Sequence, residues 1–133
     1  MMKSALVLLL VLAASCALAA PAAPVLPSAA PAATGQALIS EFDRNDDGKV
    51  DYRVHYGAAG SMLREELDFN YDGRMDDFCF YESGILAREE IDTDFNGVVD
   101  VWVYLSEGTY ILRYEMDRDG DGKPDYTKSF GGN

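Results

Sequence analysis

Asp51-Tyr52-Arg53-Val54-His55-Tyr56-Gly57-Ala58-Ala59-Gly60-Ser61-Met62-Leu63-Arg64-Glu65-Glu66-Leu67-Asp68 is the stretch on which the fold turns. Sixteen residues separate its two aspartates, and Gly57–Gly60 sits near their middle. About six residues remain on either side, which is under two turns of helix but an ordinary strand length. The run Tyr52–Tyr56 is rich in aromatic and β-branched side chains, as are Asp77–Tyr81 and Val101–Leu105 further along. Such residues suit a pleated sheet. Returning strands are read at Met62–Leu67, Ile85–Ile91 and Tyr110–Met116. Tight turns are expected at Gly57–Gly60, at Glu82-Ser83-Gly84 and at 106–109. Leu38–Phe42 and Tyr126–Phe130 complete an all-β, antiparallel up-and-down meander of about eight strands.

Both ends of that stretch belong to a repeated acidic loop, D-x-[DN]-x-[DN]-G-x-x-D. Its copies are Asp43-Asn45-Asp47-Gly48-Asp51, Asp68-Asn70-Asp72-Gly73-Asp76, Asp92-Asp94-Asn96-Gly97-Asp100 and Asp117-Asp119-Asp121-Gly122-Asp125. The first aspartates follow one another at 25, 24 and 25 residues. A hard cation such as Ca²⁺ takes six to eight oxygens, which short side chains at alternate positions can supply, while the sixth-position glycine permits the sharp turn. Asp, Asn and Gly also crowd ordinary turns. The loops are not EF-hands. Loop position 12, where an EF-hand carries a bidentate Glu, is Val54, Cys79, Val103 or Lys128.

Alternation sorts the strands onto two faces. One is expected to form the core, from Tyr52, Val54, Tyr56, Leu63, Leu67, Cys79, Tyr81, Ile85, Ala87, Ile91, Val101, Val103, Leu105, Leu112, Tyr114 and Met116. The other carries Arg64-Glu66, Arg88-Glu90 and Arg113-Glu115 beside Phe78, Phe80, Trp102 and Tyr104. Those four aromatics are a possible ligand face for glycan or protein. Phe78 opposite Arg88 and Trp102 opposite Arg113 are the expected cation–π neighbours. A flat sheet would leave the apolar side wet, so a curled or barrel-like closure is expected.

The chain opens with a basic start at Lys3 and an apolar run Ala5–Ala14, too short to span a bilayer but suited to export. Residues 1–16 read as a signal peptide, either lipoprotein-type with Cys16 as the lipidated residue, or an ordinary one cut near Ala19. Residues 17–36 form an Ala/Pro-rich spacer, and 37–133 the repeat domain. This implies export to a bacterial envelope, periplasm or exterior, with membrane contact only through the lipid. The domain has no second cysteine for Cys79, so no disulfide is expected in it. The net charge is −12, and 13 of the 23 acids occupy loop ligand positions. Up to four Ca²⁺ would cancel most of it. Nucleic acid is not expected as a partner, since there is no basic patch.

The loops resemble the calcium-binding β-hairpin loops of integrin α-subunit propeller repeats. The 24–25-residue unit is also similar to repeats of bacterial envelope proteins often labelled EF-hand. The resemblance implies side-chain ligands at positions 1, 3, 5 and 9 and a carbonyl ligand at position 7, which is Lys49, Arg74, Val98 or Lys123. His55, the single histidine, reads as surface. Adjacent acids such as Glu65-Glu66 and Glu89-Glu90 point to opposite faces of a strand and cannot share a substrate. A non-enzymatic, calcium-stabilised domain is the expectation.

Overall fold

The computed structural model describes residues 38–130; the signal segment, Cys16 and the spacer lie outside them. The strands are β1 (Leu38–Phe42), β2 (Tyr52–Tyr56), β3 (Met62–Leu67), β4 (Asp77–Glu82), β5 (Ile85–Ile91), β6 (Val101–Ser106), β7 (Tyr110–Met116) and β8 (Tyr126–Ser129). They form one antiparallel sheet in sequence order. Acidic loops join β1–β2, β3–β4, β5–β6 and β7–β8 at one end, and tight turns close β2–β3, β4–β5 and β6–β7 at the other.

Closure is where the structure departs from expectation. Among the described residues β1 pairs with β2 and β8 with β7, and no ladder joins the two edges. A barrel needs its first and last strands hydrogen-bonded at a consistent stagger, so the sheet is open rather than a barrel.

Register explains a second departure. The β4–β5 turn has two loop residues, Ser83 and Gly84, with Glu82 opposite Ile85. Both lie at positive φ, 53° and 80°, the type I′ geometry that matches strand twist. Each hairpin then slips by one residue near its turn, between His55 and Tyr56, Phe80 and Tyr81, and Tyr104 and Leu105. Leu63, Ala87 and Leu112 are the extra residues on the returning strands. A bulge reverses the in–out alternation beyond it. Leu63, Ile85 and Leu112, placed inward by simple alternation, are therefore 46%, 51% and 45% exposed, while Leu86 is 5% exposed.

The same shifts move the outer-face partners. Phe78 stands opposite Glu90 and Trp102 opposite Glu115, whereas Phe80 faces Arg88 and Tyr104 faces Arg113. The expected cation–π pairs are thus displaced by one pair along the strand. Guanidinium carbons sit 4.3 Å from the Phe80 ring (Arg88) and 3.9 Å from the Tyr104 ring (Arg113).

Leu86→Ala is expected to cost about 2–5 kcal/mol and Ile85→Ala only about 0.5 kcal/mol, measured by urea unfolding. Equal costs would show that alternation runs unbroken into the turn.

Candidate metal loops and the buried acid row

Each acidic loop is built by its own carboxylates capturing its own backbone. The first-position aspartate accepts the N–H of the sixth-position glycine in all four copies: Gly48 to Asp43 at 2.7 Å, Gly73 to Asp68 at 2.7 Å, Gly97 to Asp92 at 2.6 Å and Gly122 to Asp117 at 2.6 Å. The ninth-position aspartate accepts the second-position N–H, from Arg44 to Asp51 and Phe69 to Asp76 at 2.8 and 2.9 Å, and from Thr93 to Asp100 and Arg118 to Asp125 at 3.1 and 3.2 Å. Third-position oxygens of Asn45, Asn70, Asp94 and Asp119 accept from the fifth residue. Fifth-position oxygens of Asp47, Asp72, Asn96 and Asp121 accept from the seventh, which are Lys49, Arg74, Val98 and Lys123. One hydrogen-bond plan therefore recurs four times.

That plan bends the chain hard. The fourth-position residues Asp46, Tyr71 and Phe95 have φ of 59°, 61° and 61°, a left-handed conformation costing a side-chain-bearing residue about 1–2 kcal/mol. The sixth-position glycines have φ from 81° to 96°. Neighbouring loops also pack on one another. A Cβ on Gly97 would lie 2.9 Å from Arg74 Nη1, and one on Gly73 3.2 Å from Lys49 Cδ. Lys49 Nζ donates to the Asp72 carbonyl at 3.2 Å. The seventh-position side chain of one loop thus lies across the glycine of the next, a contact between repeats that no single-loop pattern shows.

The donor set fits a divalent cation. In the third and fourth loops, Asp92, Asp94 and Asp100, and Asp117, Asp119 and Asp121, each offer ligand oxygens within 4.8 Å of one another. In the first two loops the fit shows differently. Asp51 and Asp68 are each 4% exposed, and each keeps one buried oxygen, Oδ1, without a hydrogen-bond partner while Oδ2 holds backbone N–H. A carboxylate oxygen buried and unbonded costs free energy unless a cation meets it. Two expected ligands are partly engaged elsewhere. Arg118 holds Asp125 at 3.0 Å, outside the group of the fourth loop, and Arg74 pairs with Asp72 at 3.0 Å.

Protonation follows the same geometry. Burial raises the Asp76 and Asp100 carboxyls despite the N–H groups they accept. Desolvation raises the Asp117 carboxyl, but N–H donation from Gly122, Gly120 and Asp119 together outweighs it and lowers the group on balance. The Arg74 side chain lowers Asp72.

A buried polar row on the inner face lay unread in the sequence. Val54, Glu65, Cys79, Glu89 and Val103 are opposite one another across β2 to β6, and Asp77 sits in the next row on β4. Glu65 accepts the hydroxyls of Tyr52 and Tyr81, the latter at 2.5 Å. Asp77 and Glu89 hydrogen-bond each other, and burial pushes their carboxyls up to about 7 and about 9. Cys79 Sγ lies 3.7 Å from Asp77 Oδ1. Asp77, Cys79 and Glu89 bring their ligand atoms within 4.8 Å of one another, with the two hydrogen-bonded carboxyls sharing a proton beside the sulfur. The signal was legible in principle. Glu65 and Glu89 share the inward parity of Leu67 and Ile91.

On the outer face the four aromatics are half-buried and interleaved with charge. One row across the sheet runs Arg64, Phe80, Arg88, Tyr104, Arg113, and the next runs Glu66, Phe78, Glu90, Trp102, Glu115. His55 joins this face through Glu66 Oε1 at 2.9 Å. Arg64 lies 5.0 Å from Phe78 and 5.1 Å from Phe80.

Comparison with known proteins adds little to this geometry. No family model matches the chain, and no curated protein matches it. A solved structure described as the crystal structure of accessory secretory protein 1,2 and 3 in Streptococcus pneumoniae matches at 15% identity with a TM-score of 0.46. The match covers 65% of this chain and 17% of that one. A likeness this distant carries no argument about activity.

The Glu89 proton gives a prediction with a definite sign. A carboxyl raised in the fold contributes stability below its unfolded pKa of about 4.3, and loses it as pH rises toward about 9. Glu89→Gln is therefore expected to raise the melting temperature relative to wild type at pH 8 more than at pH 5, read by circular dichroism. A gain that does not grow with pH would show that Glu89 folds ionised. In the loops, Gly97→Ala is expected to lower stability by more than about 1 kcal/mol, since φ is 92° there. An unchanged urea midpoint would contradict it.

Proposed function

We propose that this is an exported, non-enzymatic bacterial envelope protein whose repeat domain is folded and stiffened by Ca²⁺ held in its acidic loops. The observation that carries the reading is the fourfold hydrogen-bond plan, together with the orphaned oxygens of Asp51 and Asp68. Side chains at loop positions 1, 3, 5 and 9 would supply oxygens, and the carbonyls of Lys49, Arg74, Val98 and Lys123 would close each site. Oxygen-only donors with a flexible count suit Ca²⁺ better than Mg²⁺, which demands a tighter octahedron. The apolar run Ala5–Ala14 and Cys16 support export and a lipid anchor, with the Ala/Pro spacer holding the domain off the membrane.

The energetics favour a structural role. A site with a dissociation constant of about 0.1 mM contributes roughly 1.4 kcal/mol in ~1 mM Ca²⁺. Four such sites reach about 5–6 kcal/mol, comparable with the whole stability of a small domain, ~5–15 kcal/mol. Sites tied to sheet backbone at both ends change shape little on loading, which argues against a sensor.

A second reading, a calcium-dependent recognition module for glycan or protein, is favoured by one observation. Arginines stand over the rings of Phe78, Phe80 and Tyr104, but among the described residues no such cation lies over Trp102, which is half-buried like them.

Chelation with EDTA is expected to lower the melting temperature by well over ~10 °C, and millimolar Ca²⁺ to restore it where Mg²⁺ restores little. Asp68→Asn should remove one ion from the count in native mass spectrometry. Identical melts with and without Ca²⁺ would defeat the structural-calcium reading. Under the recognition reading, Trp102→Ala should abolish ligand capture while leaving the calcium-dependent melt intact.

A further inference from the structure

The two open edges of the sheet are the two halves of one repeat. Counting from the first aspartate of each loop, β8 occupies the positions of β2, β4 and β6, the strands that leave a loop. β1 occupies those of β3, β5 and β7, the strands that enter one. Each internal pair of this kind is closed by a tight turn in a fixed register, Tyr52 opposite Leu67, Arg53 opposite Glu66, Val54 opposite Glu65 and His55 opposite Arg64. The equivalent residues at the ends are Tyr126 and Phe42, Thr127 and Glu41, Lys128 and Ser40, and Ser129 and Ile39. Among the described residues, the sheet therefore starts and stops half-way through this hairpin pattern.

Backbone polarity at the edges agrees with that register. Phe130 donates its N–H to the Leu112 carbonyl at 2.8 Å, so Phe130 faces β7; alternation turns Thr127 and Ser129 outward. The Phe42 carbonyl accepts from Asp51 at 3.0 Å, so Phe42 faces β2, and Ile39 and Glu41 turn outward. These are the residues that would exchange hydrogen bonds across a completed hairpin, as Arg53 with Glu66 and His55 with Arg64 do inside the chain.

Side chains are compatible too. None of the four end-to-end pairs sets like charges opposite each other, and Tyr126 would meet Phe42, an aromatic pair of the kind that stabilises cross-strand contacts. Among the described residues the β1 edge is unpaired, with Leu38 and Ile39 exposed on it. An exposed edge of this kind is a template for another strand.

We propose that the β8 edge of one copy receives the β1 edge of a second copy, with Thr127 opposite Glu41 and Ser129 opposite Ile39, so that each junction reproduces the strand pairing of the internal hairpins. The contact is heterologous, so it repeats head to tail and builds rings or filaments rather than a twofold dimer. It depends on strand phase and holds whatever ion the loops carry.

Sedimentation velocity of the full chain over a wide range of protein concentration tests it. Wild type is expected to grow in mass with concentration. Thr127→Pro removes an outward N–H without a β7 ladder bond, and Ile39→Pro does the same at the other edge. Each variant alone should stay monomeric with an unchanged far-ultraviolet spectrum, and a mixture of the two should stop at dimers, since one intact β8 and one intact β1 remain. A wild type that is monomeric throughout overturns the proposal, as do proline variants that assemble like wild type. Should either proline unfold the chain, Thr127→Lys with Ile39→Lys replaces the pair, and assembly undiminished by both lysines counts against it.

Discussion

Four hydrogen bonds, each from the N–H of a loop's sixth-position glycine to the carboxylate of its first-position aspartate, hold this sheet in its order. They turn an acidic nine-residue segment into a fixed reversal and bring consecutive strands back alongside each other. Because the spacing recurs at 24–25 residues, each reversal stands beside the last, and the seventh-position side chains of Lys49, Arg74 and Val98 bridge the gap between neighbours. Carboxylates concentrated at one rim repel one another. Backbone donation offsets part of that.

The opposite rim is organised by different physics. There the turns are short and glycine-assisted, and the bulge beside each sets which leucine is buried. Leu86 goes in and Ile85 out because one extra residue in β5 reverses the pleat. Between the rims the inner face is not purely apolar. Glu65 is reconciled with burial by two tyrosine hydroxyls, and Asp77 with Glu89 by a shared proton. Buried acids that are hydrogen-bonded in this way specify register, because a slip of one residue would move each to the wrong face.

Oxygen donors and aromatic rings are divided between rim and face. The loops gather oxygen ligands, and the outer face alternates arginine with aromatic rings in one row and glutamate with aromatic rings in the next. Most ring faces there are already covered by guanidinium groups, so the face is largely self-satisfied. The edges are not, and their complementary phase leaves the repeat open at both ends.

The strand plan was legible because it is local. The nine-residue acidic loops, turn residues and β-branched runs each act over fewer than ten residues and agree with one another, and so the meander and the candidate ligand positions could be read from the chain directly. What the tertiary structure alone decided depends on contacts across strands. A bulge is a mismatch between two strands and leaves no mark on either one, so the inward placement of Leu86 and the pairing of Phe80 with Arg88 required the ladder itself. The burial of Glu65 and Glu89 required their partners Tyr52, Tyr81 and Asp77, which lie on other strands. Whether the sheet closes on itself is likewise fixed by the geometry of two strands more than eighty residues apart, a distance over which local sequence exerts no force.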